Sequence, residues 1–232
     1  MKDCEIYNSI KNNAADWLTS NGIFAKIFPA NFESIKEFLI SEDLVELSNS
    51  FNILSKKSPF EKSGVFIEGK CYTCKIEPHK EKKFPLKKIL TTKKVDDSFY
   101  LDDEVIQQWR IAKGTQKTKR ITNDGFEYHY SVGAMKFPDD LNEPARTIVT
   151  GEGGKAPSRF KHVVYTKYGY RRLTPIELEK INMFPKNHTE MKGISDTKRA
   201  FFMGNALVVG IIEKIGKELQ IRILNNFNND NE

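Results

Sequence analysis

The most constraining stretch of this chain runs from Gly169 to Pro185, Gly-Tyr-Arg-Arg-Leu-Thr-Pro-Ile-Glu-Leu-Glu-Lys-Ile-Asn-Met-Phe-Pro, because it fixes both ends of a short helix. Thr174 is placed to cap it. Pro175 takes the first helical position, where a missing N–H is no loss, and Glu177 stands where a capping box needs a carboxylate. Leu178 and Ile181 supply an apolar stripe at helical spacing, and Phe184-Pro185 ends the run. Local physics predicts a well-capped short helix and stops there.

The surrounding chain is long enough, at 232 residues, to bury a core in one large domain or two small ones. Its 39% hydrophobic content, with 16 Phe and 8 Tyr, excludes a disordered chain. No apolar run is long enough to span a membrane, and the first residues lack the apolar segment of a secretory signal. Three cysteines fit a reducing, cytoplasmic setting. A net charge of +6 is compatible with a polyanionic partner without naming one.

In chain order, 5–21 reads as one helix stopped by Gly22, 23–28 as a short strand ending at Pro29, and 31–39 as a helix capped by Asn31. Residues 44–54 read as a further helix or an extended crossover. From about residue 58 the pattern turns to strands. Val65–Ile67 and Lys70–Ile76 flank Glu68-Gly69 as a hairpin, 102–109 is a helical piece, and 119–122 with 126–130 form a second hairpin around Asn123-Asp-Gly125. In that hairpin Phe126, Tyr128 and Tyr130 alternate onto one face and are assigned to the core, while Lys117, Lys119 and Arg120 are assigned to phosphate contact. The last helix carries Leu207, Ile211, Ile215 and Leu219 at four-residue steps, with Glu213 and Lys217 as a favourable pair.

Three stretches in this order resemble the C-terminal motifs of the DNA (cytosine-5) methyltransferases. They are Pro144-Ala-Arg-Thr-Ile-Val-Thr-Gly-Glu-Gly-Gly154, the capped helix with its Phe184-Pro185, and Phe201-Phe-Met-Gly-Asn-Ala-Leu-Val-Val-Gly210. The resemblance implies a mixed α+β fold, in which a β-rich target-recognition domain is flanked by helices that complete an α/β catalytic domain. It divides the chain into 1–57, packing on the catalytic half; 58–170, the recognition domain; 171–224, the closing motifs; and a disordered tail, 225–232.

It also implies roles. Arg146, Thr147 and Ile148 lie on the element that clamps DNA beside a flipped cytosine, where hydroxyl, amide and guanidinium suit phosphate or guanine. Gly153 and Gly154 would let backbone approach the duplex, and Lys155, Ser158, Arg159 and Lys161 follow as a groove-facing loop. Arg171 and Arg172, with Thr174 and Glu177, brace the recognition domain. Asn205, Ala206 and Leu207 line the pocket for S-adenosylmethionine, Asn205 also serving as a helix cap.

The chemistry of methyl transfer is absent from these residues. It needs a thiolate to attack the base, yet Cys4, Cys71 and Cys74 follow Asp3, Lys70 and Thr73, and there is neither Pro-Cys nor Glu-Asn-Val. Cys71 and Cys74, without a second pair, predict no metal site, and the four histidines show no metal or triad spacing. The expectation is a DNA-recognition subunit or fragment of a bacterial restriction–modification methyltransferase, inactive alone and partnered by double-stranded DNA and an N-terminal catalytic subunit. The alternative is a stand-alone, non-enzymatic DNA-binding protein.

Overall fold

The computed structural model describes residues 5–40 and 60–229; the 44–54 assignment and Cys4 lie outside the described residues. The fold is mixed α and β, as expected, and the chain divides into two compact bodies, 1–81 with 213–232, and 82–212.

The first body opens with α1 (Glu5–Asn12), which is not the start of a continuous helix to residue 21. Asn13 leaves helical geometry and caps the turn Ala14–Asp16 by accepting from the Asp16 N–H, and Trp17–Asn21 closes as a wider π turn. Ile23–Ile27, expected as a strand, forms α2. Conversely, the expected helix at 31–39 is β1 (Ala30–Phe32) and β2 (Lys36–Leu39). The reason is non-local. Asn31 pairs with Glu77 of β5 (Ile76–Pro78), and Lys36–Leu39 lie against β4 (Lys70–Cys74), with ion pairs from Lys36 to Glu61 and Lys70 to Glu37. Pairing across the sheet overrides a local pattern that favours helix.

The hairpin of β3 (Ser63–Ile67) with β4 turns through Glu68 and Gly69, both at positive φ, as a two-residue hairpin turn requires. Cys71 and Cys74 are both buried in β4, and burial pushes their thiols up. Glu218 and Arg222, late in the last helix, belong to this body. Arg222 donates to Glu218 and to the Asn21 carbonyl and lies over the Trp17 ring.

The second body is built on the cluster Leu86, Ile89, Ile148, Val164, Leu173, Leu178, Ala200 and Met203. It holds α3 (Asp103–Lys113), capped by Asp102, and the ribbon of β6 (Gln116–Ile121) with β7 (Glu127–Val132). The short pair β8 (Val163–Thr166) and β9 (Gly169–Arg172) follows, then α4 (Pro175–Ile181) and α5 (Asp196–Asn205). The aromatics of the ribbon are not core: Phe126, Tyr128 and Tyr130 are all exposed. Asn205 does not cap the final helix. It ends α5, donating to the Phe201 carbonyl, and α6 (Val209–Asn229) begins only after a three-residue break. No helix among the described residues is long and apolar enough to cross a membrane.

Candidate functional site

The site grows outward from the capped helix. Thr174 accepts from the Glu177 N–H and Glu177 accepts from the Thr174 N–H, closing the capping box. The same carboxylate takes both arms of Arg171, at 2.8 and 2.7 Å, and the Thr91 N–H, so one buried side chain ties β9, α4 and the 91 segment together. Its neighbour Arg172 donates to the Gly153 and Ser98 carbonyls and stacks over Phe99. Burial pushes the Arg172 guanidinium down from its usual value.

The Arg146-Thr147-Ile148 element is held by a network that periodicity does not reveal. Asp139 accepts from Arg146 Nε at 2.7 Å, from Lys113 Nζ at 3.2 Å and from the Val163 N–H at 2.8 Å. The other arms of Arg146 reach the Phe160 and Lys161 carbonyls. Its own N–H donates to His162 Nε2, while His162 Nδ1 faces Glu152 at 3.0 Å. With Nε2 accepting, the imidazole is the neutral tautomer whose Nδ1–H donates to that carboxylate.

Burial at Asp139 raises its carboxyl, but three donors outweigh burial and hold it below its usual range. At Lys113 burial wins, and the ammonium is pushed down against the pull of Asp139. Asp139, Glu152 and Lys113 were not singled out from sequence; nothing in their spacing marks them, since they meet only through the tertiary fold.

The network sorts the expected residues. Arg146 is wholly engaged in bracing, Ile148 is core, and Thr147 is the exposed member of its element. Lys161 is buried, donating to the Gly154 and Ala156 carbonyls. Lys155 is exposed, the Ser158 hydroxyl accepts from the Phe160 N–H, and Arg159 spends one arm on the Gly133 carbonyl. Arg159 is half-buried, and its Nε and Nη1 are covered without a hydrogen-bond partner.

The glycines serve close approach within the body. A β-carbon on Gly153 would stand 2.8 Å from Ala200 Cβ, and one on Gly154 would stand 3.0 Å from Lys161 Nζ. Lys119 and Arg120 stand on the exposed ribbon.

The break at 206–208 is docked on this same assembly. Gly204 meets the Val149-Thr150 backbone with no room for a side chain, and Asn182 donates to the Met203 carbonyl while accepting from the Val209 N–H. Asn205 and Leu207 are thereby presented at the surface, Leu207 at 69% exposure, with Ala206 partly covered between them. Beside this body's core lies a largely apolar cavity of about 640 Å³, bounded in part by Phe84, Ala145, Ile181 and Phe184, with Lys88 and Lys180 alongside. No group of His, Cys, Asp and Glu among the described residues could hold a metal ion.

The sequence profile of the C-5 cytosine-specific DNA methylases matches residues 24–221. A curated relative, the type II methyltransferase M.Sau3AI of Staphylococcus aureus, is 38% identical over 204 residues, which are 86% of this chain and 47% of that protein. The chain thus spans about half the length of that relative. A solved methyltransferase of Entamoeba histolytica, EhMeth, aligns over 94% of this chain and 60% of its own at 16% identity, with a TM-score of 0.39.

Proposed function

The chain belongs to the C-5 cytosine-specific DNA methylase family, and on that premise we propose that it is the DNA-recognition and closing part of a cytosine-5 DNA methyltransferase of the restriction–modification type. The catalytic thiolate comes from a catalytic half outside these residues, whether a second subunit or the rest of a longer chain, because no cysteine here follows proline. The observation that carries the reading is the docking of the 206–208 break on the Val149-Thr150 backbone through Gly204. The segment expected to face the cofactor there lies against the segment expected to face DNA, which supports their working together.

In this reading the residues divide by exposure. Thr147 and Lys155, with Lys119 and Arg120 on the ribbon, offer hydroxyl and cationic donors to duplex DNA. Arg146, Lys161, Gly153 and Gly154 shape the loop that presents them, and Arg171, Arg172, Thr174 and Glu177 hold that loop on α4.

The family implies S-adenosylmethionine, which supplies the methyl group. The residues present suit one wall of its site. The Asn205 amide is turned to the Phe201 carbonyl, leaving its oxygen as an acceptor, beside the exposed apolar side chain of Leu207. Exposed Leu207, Ile211 and Ile212 form apolar surface on which the catalytic half would seat.

The test is transfer of a labelled methyl group from S-adenosylmethionine to duplex DNA by this chain, by a family catalytic half, and by the two mixed. Transfer only in the mixture is expected. Duplex retained by this chain without transfer in any mixture would favour the stand-alone DNA-binding protein instead.

A further inference from the structure

The β6–β7 ribbon has no third strand among the described residues, and nearly all of its residues are exposed. An isolated two-stranded ribbon is at best marginally stable in water, so this one gains from a partner. Its register separates two faces. Thr118 and Arg120 lie opposite Tyr130 and Tyr128, while Lys117, Lys119 and Ile121 lie opposite Ser131, His129 and Glu127. Phe126 continues the aromatic alternation at the turn. On the aromatic face Phe126, Tyr128 and Tyr130 are 65%, 37% and 44% exposed, and the Arg120 guanidinium lies 4.1 Å from the centre of the Tyr130 ring.

We infer that this ribbon enters the major groove of the duplex, its aromatic face against base edges and its cations against phosphate. The inference rests on the DNA-recognition reading above and goes beyond it by naming the element, the groove and the residues.

Three features favour DNA over a protein partner. The ribbon has the cross-section that the major groove admits. Cations stand on both faces, Arg120 on one and Lys117 and Lys119 on the other, whereas the buried centre of a protein interface is depleted in charge. And the ribbon is continuous with the expected recognition loop, because Arg159 donates at 2.7 Å to the Gly133 carbonyl, the residue after β7.

The experiment uses a random-sequence duplex pool in which 5-bromodeoxyuridine replaces thymidine, so that the photoreactive bromine stands in the major groove. Irradiation of the bound chain and peptide mapping should place cross-links within 116–132. Tyr128→Ala and Tyr130→Ala should each weaken duplex binding by about tenfold, the scale of one lost base-edge contact. Tyr128→Phe should retain it, and Arg120→Ala should also flatten the salt dependence. These side chains are exposed, so thermal unfolding of the variants should match that of the parent.

Cross-links confined to 146–161, with unchanged affinity in the ribbon variants, would overturn the inference while leaving the recognition reading intact. Variants that bind duplex normally but no longer support transfer when mixed with a catalytic half would make the ribbon a protein contact and overturn it too. A parent chain that retains no duplex would overturn both.

Discussion

Gly204 lies so close to Thr150 that a β-carbon on the glycine would stand 2.5 Å from both the Thr150 Cα and its backbone nitrogen. The obstacle is backbone, which cannot swing aside as a side-chain end can. Gly204→Ala should therefore destabilise the chain by about 1–3 kcal/mol, as overpacking of a tight contact does. Gly216→Ala, in α6 with no atom within 4 Å of the new methyl group, should stabilise by about 0.5–1 kcal/mol through helix propensity. Urea unfolding of the two variants checks both signs. Equal effects would mean that the close approach of Gly204 to Thr150 does not obstruct a side chain.

Among the described residues Glu177 is the single carboxylate for Arg171, with both side chains 1% exposed. Removing it leaves a buried guanidinium unpaired and opens the capping box, so Glu177→Ala should cost about 3–5 kcal/mol. Arg171→Met in the same background should recover part of that loss by removing the stranded charge. A double-mutant cycle in urea measures the recovery, and strictly additive losses would contradict the pairing.

Asp139 carries the pH dependence of the Arg146 brace. Its folded carboxyl lies below the ordinary value of 3.8, since Arg146, Lys113 and the Val163 N–H together outweigh the upward push of burial. A group depressed on folding contributes stability that is complete above its unfolded value and lost as pH falls through the folded one. Unfolding free energy followed from pH 7 downward should thus fall off below about pH 4. Asp139→Asn should be less stable at neutral pH, with Lys113 left buried beside Arg146, and should show a shallower acid limb. An acid limb unchanged in the variant would assign it to other carboxylates, such as Glu179.

Arg146 and Lys155 should fail in different ways. Arg146 spends its guanidinium on Asp139, Phe160 and Lys161, so Arg146→Lys loses the fork that shapes the loop but neutralises no fewer phosphates. Duplex affinity should drop with the salt slope unchanged. Lys155→Ala removes an exposed cation, and in the proposed DNA-bound state the slope of log affinity against log salt should fall by about 0.9. Anisotropy titrations across a salt series separate the two outcomes.

The features legible in the sequence are those closed by a few neighbouring residues. Thr174, Pro175 and Glu177 specify a capping box within four positions, Glu68-Gly69 specifies a hairpin turn, and the 122–126 turn aligns the ribbon. Each is a short-range bargain between a side chain and the nearby backbone, so its outcome does not wait for the rest of the chain.

Tertiary structure decided what those bargains leave open. Whether 31–39 is helix or strand depended on β4 and β5, which lie some forty residues on in sequence. Arg146 and Lys161 read as groove-facing cations until the Asp139 carboxylate and the Gly154 and Ala156 carbonyls drew them inward, while the ribbon aromatics stayed outside for want of a packing surface. A charged or aromatic side chain has no preferred side of its own. Burial and hydrogen-bond satisfaction choose one, and both are set by distant residues that only the folded chain brings together.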